Sequence, residues 1–351
     1  MSGKVFKLPN YPITQLPHPE QIVEIGGRRL KLTNLEKILY PATGFTKGQV
    51  IDYYARITPM LVPHLAGKPL TLKRYPGGVD SEFFFEKNAT KHRPDWVQTA
   101  PIWSEGNQRE INYILANDLP TIVWLANLAA IELHPSLSLA ADIECPRTMV
   151  FDLDPGPPAN IIQCCQVGVW LREIFEHFKL ESFPKTSGSK GLQIYVPLNT
   201  KASYDETKPF AHALARLLEN EHRDLVVSDM KKAIRTGKVL VDWSQNDQHK
   251  TTISVYSLRA RERPTVSTPV TWEEVQRALK KKDAGVLVFE APEVLRRVQK
   301  MGDLFAPLLK LKQKLPKLTG IGEGQSPVPA KGIEIAARAS SKRRAKTAKK
   351  A

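Results

Sequence analysis

The chain has 351 residues and a mean hydropathy of −0.31, with 42% hydrophobic and 25% charged residues, enough for about two domains with a buried core. No run approaches the roughly 18 apolar residues of a membrane span, and Met1 to Leu16 lacks a signal-peptide apolar block, so a soluble cytoplasmic protein is the simplest expectation. The net charge is +15; Leu311 to Ala351 carries eleven Lys/Arg against two acidic residues, leaving the body only moderately basic. Such a surplus suits a polyanion such as nucleic acid, although a basic tail also serves solubility alone. The three cysteines, Cys145, Cys164 and Cys165, have no metal-ligand spacing and exclude a disulfide scaffold.

In chain order, Pro9, Pro12, Pro17 and Pro19 make residues 1–26 an extended lead-in, with the fold proper starting near Gly27. Thr46 caps an expected helix over Lys47 to Leu61, where Val50, Tyr53, Tyr54, Ile57 and Leu61 recur at helical spacing. Two more amphipathic helices are expected from about Asn160 to Leu180 and from about Asp205 to His222. Strands are expected over Leu70 to Arg74, Thr148 to Leu153, Leu192 to Leu198 and Val239 to Trp243, each short and apolar. The body over 27–310 is therefore α/β or α+β, and residues 311–351 read as a basic, disordered tail.

The most informative stretch is Met149-Val150-Phe151-Asp152-Leu153-Asp154-Pro155-Gly156. In a strand, Asp152 and Asp154 share one face while Leu153 turns into the core. Two carboxylates so close repel unless a cation sits between them, and Mg²⁺ or Mn²⁺ takes oxygen ligands of this kind. Taken alone, the pair is equally the end of a surface strand that starts a turn at Pro155-Gly156. Phosphatases of the haloacid type also use Asp-x-Asp, but usually with Thr or Val where this chain has Gly156. Asp242 ends a second apolar strand, Val239 to Asp242, and three carboxylates around two ions are the layout of nucleotidyl transfer. Asp247 competes for that role from a polar, loop-like stretch. The turn Ser187-Gly188-Ser189-Lys190-Gly191 could cradle a phosphate or be a plain hairpin turn; it does not match the Walker pattern.

Asp-x-Asp, Ser187 to Leu192, Val241-Asp242-Trp243-Ser244 and Tyr256-Ser257-Leu258-Arg259 together resemble the primase-like polymerase module of the bacterial end-joining ligase, ligase D. The resemblance extends from about Gly27 to Leu309 and includes Leu32-Thr33-Asn34 with Lys37, Tyr40 to Gly44 with Thr46-Lys47, Lys73-Arg74, Phe84 to Lys87, Glu132-Leu133-His134 and Pro269 to Trp272. It implies an α+β, archaeo-eukaryotic primase-like fold of mixed sheets flanked by helices. It also implies template-directed or terminal nucleotide addition to DNA, a ribonucleotide preference among NTPs and dNTPs, and two Mn²⁺ or Mg²⁺ ions.

By the same resemblance Asp152, Asp154 and Asp242 are the catalytic metal ligands. His134, Ser187, Lys190, Gln193, Arg259 and Lys73 surround the nucleotide. Asn34, Lys37 and Lys47 bind the 5′-phosphate across a gap, and Phe84 and Phe85 stack on the template, core packing being the alternative for that pair. Gln193 departs from the family, whose motif continues with His; the loss of one charge-assisted contact, about 1.5–3 kcal/mol, implies slower synthesis or weaker nucleotide binding. No Lys-x-Asp-Gly motif follows, so sealing is expected from a separate ATP-dependent ligase, with a Ku-type end-binding protein as a further partner. Two other readings share these motifs: a DNA-end-binding module without efficient chemistry, and a primase on single-stranded DNA.

Overall fold

Alternating burial along Thr148–Pro155 sets the architecture: Met149, Phe151 and Leu153 are fully buried on one face, while Asp152 and Asp154 lie half-buried on the other. The computed structural model describes residues 6–8, 13 and 21–316, the first three by backbone alone. Thr148–Pro155 is the central strand of a five-stranded sheet ordered Phe183–Thr186, Leu192–Pro197, Thr148–Pro155, Val239–Asp242, Val226–Val227. Its pairings are antiparallel except the last, which is parallel.

The helix Ile161–His177 covers the apolar face, with Phe175 packed on Phe151 at 5.3 Å between ring centroids. Gly168 permits the close approach, since a Cβ there would stand 3.1 Å from Leu192. A second five-stranded sheet faces the other side. There Pro69–Arg74 pairs with Ala130–Pro135 along one edge and with Phe84–Glu86 and Arg109–Leu115 along the other, and Thr99–Ser104 follows outermost.

The three expected helices form, as Lys47–Leu65, Ile161–His177 and Tyr204–Glu221, the first two behind capping boxes on Thr46 and Asn160. Three further helices, Leu119–Asn127, Trp272–Lys281 and Ala291–Met301, complete the α+β body. The expected strands appear within a residue or two of their bounds. Among the described residues no helix is long and apolar enough to cross a membrane.

The expected boundary at residue 26 falls inside a hairpin. Gln21–Ile25 pairs antiparallel with Arg28–Leu32 across Gly26 and Gly27, both at positive φ, and Val23 and Ile25 are buried. The four prolines all precede this strand, so they do not bear on it. At the other end, Gln313 donates from its backbone N to Leu198 O at 2.9 Å and from Nε2 to Pro197 O at 2.8 Å, which binds residues 311–316 to the body. The rest of the expected tail, from Lys317, and most of residues 1–20 lie outside the described residues.

Candidate active site

Strand register gathers the first group of side chains. Asp152 pairs directly with Asp242 on one side and with Gln193 on the other, and Gln193 pairs with Lys185 beyond it. Directly paired residues share a face, so Lys185, Gln193, Asp152 and Asp242 form one row across four strands. Burial first, then the Asp242 carboxylate, pushes the Asp152 carboxyl up to about 6. Lys185 is fully buried; its Nζ donates to Gln193 Oε1 at 2.5 Å and to Ser267 Oγ at 2.6 Å. Gln193, 2% exposed, in turn donates from Nε2 to Thr252 Oγ1 at 3.2 Å.

The loop Ser187–Gly191 closes one side of the cleft. Ser187 Oγ accepts from the backbone N of Ser189 (3.2 Å) and of Gly191 (3.1 Å), so this hydroxyl shapes the loop as well as lining it. Both glycines are required. A Cβ on Gly191 would stand 2.3 Å from Leu153 O, and one on Gly188, at φ +68°, 2.6 Å from Ser267 N. Arg259 braces the loop by donating from NH1 to Ser187 O at 2.6 Å, and its Nε donates to Glu132 Oε1 at 3.1 Å.

Glu132 is the hub of the opposite sheet. It is 3% exposed and also binds Ala260 N at 3.1 Å and His134 Nε2 at 3.0 Å. Burial alone would raise its pKa, but the His134 hydrogen bond and the Arg259 charge hold it down to about 2. Burial lowers His134 against the pull of Glu132. His134, Asp152, Asp154, Lys190, Gln193 and Arg259 thus line one open cleft of about 250 Å³ between the two sheets.

Hard oxygen ligands on one face, with repulsion raising Asp152, fit a divalent cation. The side chains are not yet arranged as its cage: among the described residues no three His, Cys, Asp or Glu converge to hold an ion. Asp154 is neutralised instead by Lys190 (3.0 Å) and Arg235 (3.5 Å). Asp242 accepts from Ser244 N (2.9 Å), Ser244 Oγ (2.6 Å) and Gln245 Nε2 (3.0 Å). The three expected carboxylates therefore stand on two neighbouring strands, Asp152 opposite Asp242, without their side chains converging on one point.

This chain matches the family model described as LigD, primase-polymerase domain, over residues 46–305. The chain belongs to the LigD primase-polymerase family. It is 42% identical over 282 residues to the multifunctional non-homologous end joining protein LigD of Mycolicibacterium smegmatis, covering 80% of this chain and 36% of that one. It is 32% identical over 289 residues to the bifunctional LigD of Bacillus subtilis, covering 82% and 45%. Its structure is similar to the polymerase domain of Mycobacterium tuberculosis ligase D in complex with DNA, with a TM-score of 0.74 at 38% identity over 80% of this chain and 98% of that one. As a LigD primase-polymerase domain it is a nucleotidyltransferase with the primase-like fold, and it spans less than half the length of the curated relatives it matches.

The remaining sequence-chosen residues fall in two places around this primase-polymerase cleft. Asn34, at φ +54°, and Lys37 form a turn seated on the N-terminus of the helix Lys47–Leu65, through Lys47 N to Lys37 O (2.8 Å) and Gly48 N to Leu35 O (2.8 Å). Lys47 is 6% exposed and donates to Thr33 Oγ1 at 3.2 Å; burial, then Lys37 and Arg74, lowers its pKa to about 8.

Phe84 and Phe85 are 45% and 59% exposed, which removes core packing as their explanation. Lys73 pairs with Phe85 in register and holds its ammonium 3.8 Å from the ring centre of Phe83, an equally exposed ring that sequence reasoning passed over in the run Phe83-Phe84-Phe85. Lys185, Thr252 and Arg235 were also missed; the alternation of Glu132 and His134 in an apolar strand was a usable signal for the Glu132 hub. Asp247 is bound by Lys208 at 2.5 Å and lies apart from the cleft lining.

Proposed function

We propose that this domain adds nucleotides to DNA 3′ ends at double-strand breaks, filling gaps that present a downstream 5′-phosphate. The carrying observation is one cleft whose lining brings Asp152 and Asp154 together with Lys190 and Arg259, carboxylates for cations beside cations for phosphates, with Asp242 the strand partner of Asp152 next to it. A divalent ion, Mn²⁺ or Mg²⁺, would be held by Asp152, Asp154 and Asp242 and would neutralise triphosphate charge and acidify the primer 3′-hydroxyl.

The chain's own residues hold the reactants. Lys190 exchanges Asp154 for the triphosphate. Arg259, fixed by Glu132, and the hydroxyl of Ser187 face the same phosphates, and His134 stands beside them on the opposite wall. Gln193 offers a neutral hydrogen bond where the family carries a cation-capable His, so pyrophosphate departs with one fewer charge to assist it. Asp242 would help draw the proton from the attacking 3′-hydroxyl in an in-line displacement at the α-phosphate.

Outside the cleft, Asn34, Lys37 and Lys47 receive the 5′-phosphate, Lys73 lies close to the nucleotide, and Phe84 and Phe85 stack on the template strand. Ribonucleotide preference and two-ion catalysis rest on family likeness. Partnership with a separate ATP-dependent ligase and a Ku-type protein, and action in the cytoplasm, rest on relatives that are named for end joining and carry more chain than the part matched here.

The test is primer extension on gapped DNA, with and without the 5′-phosphate, comparing NTPs with dNTPs in Mn²⁺ and Mg²⁺. Extension by the native chain and none by an Asp152→Ala/Asp154→Ala variant supports the reading. Phosphate-dependent binding without extension would instead make the chain an end-binding module, above all if Gln193→His restored synthesis.

A further inference from the structure

A second cavity, of about 280 Å³, continues the space between the sheets beyond Tyr195 and Thr252. Thr148, Val150, Asp152 and Asp154 alternate along one strand face, so Thr148 lies on the same face as Asp152, about 13 Å back along the strand. Thr252 lines both spaces.

The lining of this cavity is built for an anion. Lys68 and Arg147 both border it, and neither has a carboxylate partner among the described residues. Their mutual repulsion is felt: burial first, then Arg147, lowers Lys68 to about 8. Two hydroxyls on the same lining, Thr148 Oγ1 and Ser254 Oγ, are buried without any hydrogen-bond partner, their residues being 4% exposed each. The nearby carboxylate, Asp303, is already taken by His64 Nε2 at 2.8 Å and Tyr256 OH at 2.7 Å. Leu137, Val255 and Phe305 supply an apolar wall. A bare phosphate would leave most of that wall without contact.

We propose that this cavity is a binding site for a small phosphomonoester, its phosphate held by Lys68, Arg147, Thr148 and Ser254 and its apolar body against Phe305 and Val255. The site is separate from the nucleotide cleft and touches it through Thr252, whose Oγ1 accepts the Gln193 hydrogen bond. An occupant that accepts a hydrogen bond from the Thr252 O–H polarises that hydroxyl and so reaches Gln193 without entering the cleft.

Phenyl phosphate is a suitable probe, titrated against the full chain by calorimetry, with inorganic phosphate beside it. Saturable binding of phenyl phosphate is expected to weaken at least tenfold in Lys68→Gln/Arg147→Gln and to persist in Lys190→Ala, which alters only the cleft. Should the double charge variant fail to fold, Thr148→Val/Ser254→Ala removes the two hydroxyls with little change of volume and is expected to weaken binding as well. Tungstate soaked into crystals should then appear within hydrogen-bonding distance of both hydroxyls. Binding lost in Lys190→Ala but kept in the cavity variants, tungstate in the cleft alone, or no saturable binding at all would overturn the proposal and leave the cavity to water.

Discussion

Asp152 and Asp242 are direct partners on adjacent antiparallel strands, so their side chains leave the same face of the sheet and the charge of one is felt by the other. This is a costly arrangement for a metal-free protein, because burial and the Asp242 charge both disfavour an ionised Asp152. Asp152→Asn is therefore expected to do two opposite things. In chelator at neutral pH it should raise the stability of the fold by about 1–3 kcal/mol, as relief of a pKa shift of this size allows. In the extension assay it should lower synthesis by about 10³-fold or more. Chemical denaturation in chelator beside primer extension checks both, and a variant that is destabilised would show that the two carboxylates do not oppose each other.

Much of this site was legible because strands obey a period of two. The pattern Met149 to Asp154 put two carboxylates on one face and Leu153 in the core, which is where they are. Two apolar strands ending in aspartate were enough to anticipate that their ends converge. The supporting contacts were not legible, because they join residues far apart in sequence: Arg259 reaches Glu132 across 127 positions and Lys185 reaches Ser267 across 82. No local periodicity encodes such pairs. The helices Trp272–Lys281 and Ala291–Met301 escaped notice because only a narrow apolar stripe faces the body, although Thr271-x-x-Glu274 marks a capping box at the start of the first. Gln21–Ile25 was lost among the prolines before it.

Glu132 holds the two walls of the cleft together, and removing its charge should be felt on both. Glu132→Gln leaves Arg259 with an uncompensated buried charge and is expected to cost about 3–5 kcal/mol of stability. It should also weaken nucleotide binding, since Arg259 then no longer fixes Ser187. The pH dependence has a definite sign. Glu132 falls from an ordinary value of 4.5 to about 2 in the fold, so its stabilisation is complete above pH 4.5 and is lost as pH drops from there toward 2. Urea titrations of both proteins at pH 7 and pH 3.5 should show the gap between them narrowing at the lower pH. A constant gap would remove Glu132 from this role.

The loop Ser187–Gly191 depends on backbone contact that only glycine allows. Gly191→Ala would set a methyl group 2.3 Å from Leu153 O, on the same strand as Asp152 and Asp154, so loop and strand must part. Loss of about 2–4 kcal/mol and of nucleotide binding is expected, a tail-end value for a point substitution with a named clash. Gly106→Ala, where a Cβ meets nothing within 4 Å, should leave both within error. Thermal melts and nucleotide titrations on this pair separate a steric effect from a general sensitivity to alanine.

Exposure of Phe84 and Phe85 separates binding from folding. Phe85→Ala removes a ring that is 59% exposed, so the melting temperature should barely move. Affinity for a template carrying an unpaired base should fall by about 1–3 kcal/mol, the worth of one base stacked on an aromatic ring. Fluorescence anisotropy with gapped and fully paired DNA reads the difference. Equal loss on both would assign the ring to general DNA contact and not to an unstacked base.

If Lys47 receives the 5′-phosphate as proposed, binding has its own pH signature. Its pKa is lowered from 10.5 to about 8 by burial and by Lys37 and Arg74 beside it. In the free protein this is a penalty on the charged form, present in full below pH 8 and relieved as pH rises toward 10.5. A bound phosphate needs that charge and is itself already dianionic above its second pKa of about 6. Preference for 5′-phosphorylated over 5′-hydroxyl gapped DNA is therefore expected to be greatest near pH 7 and to decline through pH 8 to pH 9. Lys47→Arg, which stays charged, should flatten the profile, and Lys47→Met should abolish the preference throughout. Dissociation constants for the two DNAs at pH 7, 8 and 9 decide it: a flat profile in the native chain would mean that the phosphate is held by Lys37 or another cation and that Lys47 only supports the turn.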